Sequence, residues 1–121
     1  MSTLSIKKCN PEYVQEKMNE ILSHPAWYQD LSGTEAEILL RHKPDNTYLL
    51  RQGEREGHFY LSSVYKNVYF KHVPFTLNID LRIWLYRNGF PCTAPTLQQF
   101  IPAIMHLDEL ECAPLLKLVD L

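Results

Sequence analysis

Arg51 is the residue whose setting makes the strongest chemical demand. It ends the run Thr47-Tyr-Leu-Leu-Arg51, a segment of strand composition. Side chains alternate along a strand, so Arg51 shares a face with Leu49 and opposes Leu50. A guanidinium in such a place is costly unless an anion meets it, because burying an ion carries a penalty of several kcal/mol. Two kinds of anion can do so. One is a structural carboxylate, with Glu35 and Glu37 as candidates. The other is a bound phosphate, which the planar guanidinium matches with two parallel hydrogen bonds.

The residues after Arg51 bear on that choice. Gln52-Gly-Glu-Arg-Glu-Gly57 is a charged loop flanked by glycines. If it turns back sharply, the backbone N–H groups of Gly53, Glu54 and Arg55 can point at an anion, and Arg55 adds charge. Its two glutamates read equally well as a solvated surface turn. Ser62 and Ser63 follow on the next strand, and alternation lets one of them face the Arg51 side.

Other chemistries find less support. Cys9, Cys92 and Cys112 are odd in number and include no C-x-x-C, so a reducing compartment fits them better than a disulfide framework. A thiol hydrolase using Cys92 or Cys112 with His72 or His106 lacks any local motif, and both cysteines read as packing residues. The five histidines and three cysteines show no metal-ligand spacing. No catalytic residue, metal or cofactor is therefore expected. The net charge of −2 favours neither nucleic acid nor an anionic membrane, so any anion site must be local. No apolar run of about 18 residues and no N-terminal signal pattern occurs, and the expected location is cytoplasmic.

These residues need a scaffold, and 121 residues are enough for one domain. Asn10-Pro11 is a helix start, and Val14, Met18, Ile21 and Leu22 predict an amphipathic helix over 11–23. Ser32-Gly-Thr-Glu35 is a capping box ahead of Ala36, Leu39 and Leu40, predicting a second helix to about His42. Strands are predicted at Thr47–Gln52, His58–Tyr65 and Val68–Phe75, the last two joined as a hairpin near Lys66-Asn67. Leu77, Ile79, Leu81, Ile83 and Leu85 alternate as in one further strand, ahead of a possible turn at Asn88-Gly89, which would instead cap a helix over 79–87. Thr96 opens a last helix with a stripe of Leu97, Phe100, Ile101 and Ile104, in which Pro102 invites a kink. The tail 112–119, with Leu115, Leu116, Leu118 and Val119, is expected to pack back as a short strand. The order predicts an α+β domain with a central antiparallel sheet flanked by two helices.

Several stretches in this order resemble the SH2 domain family. Trp27-Tyr28 is similar to its opening pair, and Leu31-Ser-Gly-Thr-Glu-Ala-Glu-Ile-Leu-Leu40 to its first helix. Asn46-Thr-Tyr-Leu-Leu-Arg-Gln52 resembles its Gly-Ser/Thr-Phe-Leu-Val-Arg-Glu strand, and Gly57-His-Phe-Tyr-Leu-Ser62 the strand after it. Lys71-His72-Val73 resembles the Lys-His-Tyr of its fourth strand, Thr96-Leu-Gln-Gln-Phe-Ile101 its second helix, and Cys112-Ala-Pro-Leu-Leu116 its close. The resemblance divides the chain into an N-terminal helical extension, 1–24, and an SH2-like domain, 25–121.

The resemblance implies a non-catalytic module, expected to act as a monomer, whose partners are tyrosine-phosphorylated proteins or peptides. It implies that Arg51 grips the phosphate and that His72 flanks the tyrosine ring and donates a hydrogen bond, with Gly53, Glu54, Arg55, Ser62 and Lys71 around them. It places peptide selectivity at Val73, Ile83, Trp84 and Phe90, within 76–95 and 106–113. Trp84 reads either as an exposed aromatic anchor or as a residue packed under the last helix. Three positions depart from the family: Gly33 where a helix Arg is common, Gly53 where a Ser or Thr is usual, and Pro74 where a Lys is common. The SH2 domains of secreted effectors from intracellular bacteria are one lineage compatible with this divergence, and the location would then be the host cytosol.

Overall fold

The computed structural model describes residues 11–55, 57–66, 68–78, 83–86 and 93–117. In chain order these form α1 (Pro11–Leu22), β1 (Trp27–Tyr28), α2 (Gly33–Leu40), β2 (Thr47–Gln52), β3 (His58–Tyr65), β4 (Tyr69–Asn78), β5 (Ile83–Tyr86), β6 (Thr93–Ala94), α3 (Leu97–Met105), a 3₁₀ turn (Glu109–Glu111) and β7 (Ala113–Pro114). Among these residues no helix is long and apolar enough to cross a membrane.

The sheet grows from two tight reversals. At the first, Gly53 N–H donates to the His58 carbonyl at 2.8 Å, and a Cβ on residue 53 would lie 2.8 Å from that same oxygen. Only glycine lets the strands close this far, and the closure pairs Arg51 with Tyr60 and Leu49 with Ser62. At the second, Lys66 adopts a left-handed conformation with φ 52°. Tyr65 then pairs with Tyr69, and Ser62 with His72. Strands β2 to β6 run antiparallel in sequence order, while β1 and β7 pair parallel to β2 on its other edge. The sheet is therefore mixed rather than purely antiparallel.

Each face of the sheet buries its own core. Tyr48, Leu50, Phe59, Leu61, Phe75 and Leu77 face α3, which presents the expected stripe of Leu97, Phe100, Ile101 and Ile104. Leu49 and Val64 face α2 and meet Ala36 and Leu40. The Ser32 capping box forms as read from the sequence, with the Ser32 hydroxyl accepting from Glu35 N–H and the Glu35 carboxylate accepting from Ser32 N–H. Leu39 and Leu22, both expected to be buried, are largely exposed. The tail forms only a two-residue strand at Ala113–Pro114, where Leu115 packs inward and Leu116 is exposed, and Leu118 and Val119 lie outside the described residues.

The stretch expected to be one strand from Leu77 to Leu85 is two. Strand β4 continues to Asn78, and β5 returns antiparallel with Leu77 opposite Trp84. The reversal changes parity: in a single strand Trp84 would face away from Leu77, but across the hairpin the two share a face. Trp84 is therefore fully buried against Phe59 and Phe75, and it is a core residue rather than an exposed peptide anchor. The expected turn at Asn88-Gly89 lies outside the described residues.

Helix α1 is tied into this core. Ile21 is fully buried among the residues under α3. The Glu20 carboxylate accepts from Trp84 Nε1 at 3.1 Å, from Leu97 N–H at the start of α3, and from Lys17 Nζ at 2.8 Å. Lys17 also donates to the Pro95 carbonyl at 2.6 Å. Burial works against the ionised form of Glu20, yet the hydrogen bonds from Lys17, Leu97 and Trp84 hold its pKa below the usual carboxylate value. Its stabilisation is thus complete above the ordinary carboxylate range and is lost as pH falls through the lowered value. Glu20→Ala is expected to cost about 1–3 kcal/mol in denaturant unfolding at pH 7. The cost should shrink as pH falls through that lowered value, where the original carboxyl is itself becoming protonated.

Candidate anion-binding site

Register brings three side chains from three strands to one point on the α2 face. Arg51 lies on β2, Ser62 on β3 and His72 on β4. Arg51 is 8% exposed. Its Nε donates to Ser62 Oγ at 3.0 Å, and its Nη2 lies 3.3 Å from His72 Nδ1. The Tyr60 ring covers the guanidinium, with its centroid 4.4 Å from Cζ. Ser62 Oγ stands 2.8 Å from His72 Nδ1, and His72 Nε2 stands 2.7 Å from Glu37 Oε2 on α2.

Two directions in this chain of contacts are set by the chemistry of the partners. A guanidinium only donates, so Ser62 Oγ accepts from Arg51 Nε, and its second lone pair and its own hydrogen are both available to His72 Nδ1. A carboxylate only accepts, so His72 Nε2 donates its hydrogen to Glu37. One ring N–H of His72 is thus taken by Glu37, and its other ring nitrogen faces the Arg51 side of the site.

Among the described residues no carboxylate forms an ion pair with Arg51. Glu35 serves the α2 cap, and Glu37 is bonded to His72. Burial pushes the Arg51 pKa below its ordinary value, and the attraction of Tyr60, Glu54 and Glu37 only partly opposes this. The guanidinium is thus desolvated, hydrogen-bonded to the Ser62 hydroxyl, and short of direct anionic compensation.

Gly33, in the first turn of α2, makes this close packing possible. A Cβ there would lie 3.2 Å from Arg51 Nη2. Gly33→Ala is expected to push the guanidinium aside by a few tenths of an ångström. It should weaken anion binding several-fold while leaving thermal stability nearly unchanged, as a titration and a melt of the variant would measure.

The other residues read from the sequence fall elsewhere. Gly53 N–H is committed to His58, so it cannot serve a bound anion. Glu54 brings a carboxylate to the site's edge, where it accepts the Tyr60 hydroxyl at 2.9 Å. Arg55 is exposed in the loop, and its carbonyl accepts from His58 N–H and Gln52 Nε2. Lys71 points to the opposite face from His72, with Nζ 4.2 Å from the Tyr65 ring centroid. Ser63 lies on that face too, beside Lys71 and Val73 in a shallow groove closed by Ile104, Met105 and Leu107. The Ile83 side chain and Phe90 lie outside the described residues. Sequence reading missed Tyr60, although its place two residues before Ser62 puts it on the same face.

A family model described as SH2 domain matches residues 27–90. Among solved structures the chain is similar to the SH2 domain of the human proto-oncogene protein VAV1, with a TM-score of 0.53 and 21% identity. The match covers 67% of this chain and 56% of that one, and it shows a shared fold. No curated protein matches the sequence.

Proposed function

The chain belongs to the SH2 domain family, and on that premise we propose that it binds phosphotyrosine-containing peptides through Arg51. The family makes it a protein-interaction module. The finer reading is that it recruits or masks tyrosine-phosphorylated proteins in signalling, in the cytosol of its own cell or of a host. One observation carries this reading: Arg51 is buried on a central strand without a carboxylate partner among the described residues. A phosphate monoester, with a charge of about −1.5 to −2 near neutral pH, supplies the missing compensation. Because so little of Arg51 is exposed, phosphate entry requires the Tyr60 ring that covers it to move aside.

The surroundings suit an extended peptide. Strand β5 pairs only with Phe75–Asn78 of β4, so the outer edge of residues 69–74 has no strand partner among the described residues. A peptide crossing that edge would set its phosphotyrosine beside α2. It would carry its following residues over Val73 toward Ile104, Met105 and Leu107. The space there is small, about 50 Å³, which favours a short side chain.

A thiol chemistry has no similar support. Burial first, then Glu111, Glu109 and Asp108, push the Cys112 pKa up, away from a nucleophile's needs.

A second reading is an interaction scaffold that has lost phosphate binding. The carboxylates of Glu37 and Glu54 near Arg51 favour it, as do Gly33 and Pro74 in place of the family's cations. Titration with a phosphotyrosine peptide, its unphosphorylated twin and a phosphoserine twin separates the two. Binding of the first alone is expected. Equal binding of all three would leave only the scaffold.

A further inference from the structure

The following rests on the phosphotyrosine reading of Arg51. We propose that His72, held through Nε2 by Glu37, supplies the second positive charge of the phosphate site by taking up one proton at Nδ1 when the phosphate binds. The positions where the family often carries that charge hold Gly33 and Pro74. What stands beside the guanidinium instead is an imidazole held between two partners of opposite character. Its Nδ1 faces Arg51 and Ser62, and its Nε2 faces Glu37.

The groups facing His72 can be named element by element. Arg51 comes from β2, Ser62 and Tyr60 from β3, and Glu37 from α2, with Glu54 bonded to the far end of Tyr60. On β4 itself the neighbours on the same face are Phe70 and Pro74, which carry no charge. In the free chain the Arg51 cation opposes an imidazolium and the Glu37 carboxylate favours one. A phosphate dianion on Arg51 cancels the opposition and adds its own attraction.

In the proposed free state Nδ1 carries no hydrogen and accepts from the Ser62 hydroxyl. One proton from solvent binds at Nδ1, while Nε2–H stays on Glu37. Nδ1 changes from acceptor to donor, and the Ser62 hydroxyl hydrogen is released to point at a phosphate oxygen. One proton thus creates two donors and separates the Glu37 carboxylate from the phosphate by a cation. Imidazole is the side chain suited to such a change near neutral pH.

The consequence is measurable. Because binding takes up a proton, affinity falls as pH rises, by up to about tenfold per pH unit where uptake is complete. The test is calorimetry in buffers of different ionisation heat, which counts protons directly. The ligand is a peptide carrying difluoromethylphosphonate in place of tyrosine phosphate, already a dianion at pH 7.5, so that counted protons are the protein's. The unaltered chain is expected to take up close to one proton. His72→Asn, whose Oδ1 can still accept from Ser62, should take up none and show a flat profile. Glu37→Gln should shift the profile to lower pH and bind more tightly than the unaltered chain at pH 9. Binding with no proton uptake, or equal uptake by His72→Asn, would overturn the proposal while sparing the role of Arg51. A chain that binds neither this ligand nor a phosphotyrosine peptide overturns both.

Discussion

Arg51→Ala is expected to abolish phosphotyrosine binding while leaving the fold intact. Truncating one side of a buried, hydrogen-bonded charge pair costs about 2–5 kcal/mol of affinity, which is ~30-fold to several thousand-fold. The fold should tolerate the change because Arg51 contributes to stability under tension. Its Nε bond to Ser62 and its packing under Tyr60 stabilise, while desolvation of its charge opposes them. Arg51→Lys should recover little. An ammonium offers neither the planar pair of donors nor the flat surface that now lies against the Tyr60 ring. Titration with a phosphotyrosine peptide and thermal melts of both variants measure the two effects separately. An alanine variant that binds as well as the original would remove Arg51 from the site.

Trp84→Ala should have the largest effect on stability. Trp84 is fully buried between Phe59 and Phe75, with ring centroids 5.9 Å from each, and its Nε1 donates to Glu20. Truncating such a residue costs about 3–5 kcal/mol through lost burial and the cavity left behind. Domains of this kind have about 5–15 kcal/mol in total, so the variant should stand near the edge of folding. The damage should extend to α1 and α3, because Glu20 joins Trp84 to the first residue of α3. Trp84→Phe keeps an aromatic ring and loses the indole N–H, at a smaller expected cost of about 1–2 kcal/mol. Denaturant unfolding of both variants ranks them. A surface anchor would show the reverse pattern, with stability unchanged and peptide affinity lost.

The contrast between Arg51 and Trp84 shows which parts of this fold can be read from sequence. Arg51 lies on a strand bounded by Asn46 and by the glycine-flanked loop 53–57. Those turn residues fix the strand ends, and alternation then fixes its face. The bounds of β2 and β3 follow from the same reasoning, and the α3 stripe follows from helical spacing. The segment 77–85 offers no such boundary. Its alternation continues through the point where the chain reverses, and the reversal exchanges the faces of everything after it. Trp84 is thereby buried by a turn that the pattern hides.

The site divides along similar lines. Arg51, Ser62 and His72 meet because two hairpin registers bring them together, and their faces follow once the turns are placed. The Gly53 contact could not be read, because it depends on how closely two backbones approach. Lys71 obeys strand alternation and points away from His72, so it stands off the face on which the resemblance would set it. The Glu37 contact depends on how α2 sits over the sheet, and local sequence carries no record of that. The family resemblance supplied the phosphate, and side-chain geometry supplied the carboxylate that stands beside it.

The most direct test follows the Arg51 side chain itself. With the chain labelled with ¹⁵N, phosphotyrosine is added while the Arg51 Nε–H resonance is observed together with backbone amides. Binding at Arg51 should move that resonance, along with amides at Gly33, Ser62 and His72. Saturation should come at a concentration where unphosphorylated tyrosine causes no change. An Arg51 Nε–H resonance that stays in place while phosphotyrosine saturates some other surface, or that fails to respond at all, would contradict the assignment of Arg51 as the residue that holds the phosphate.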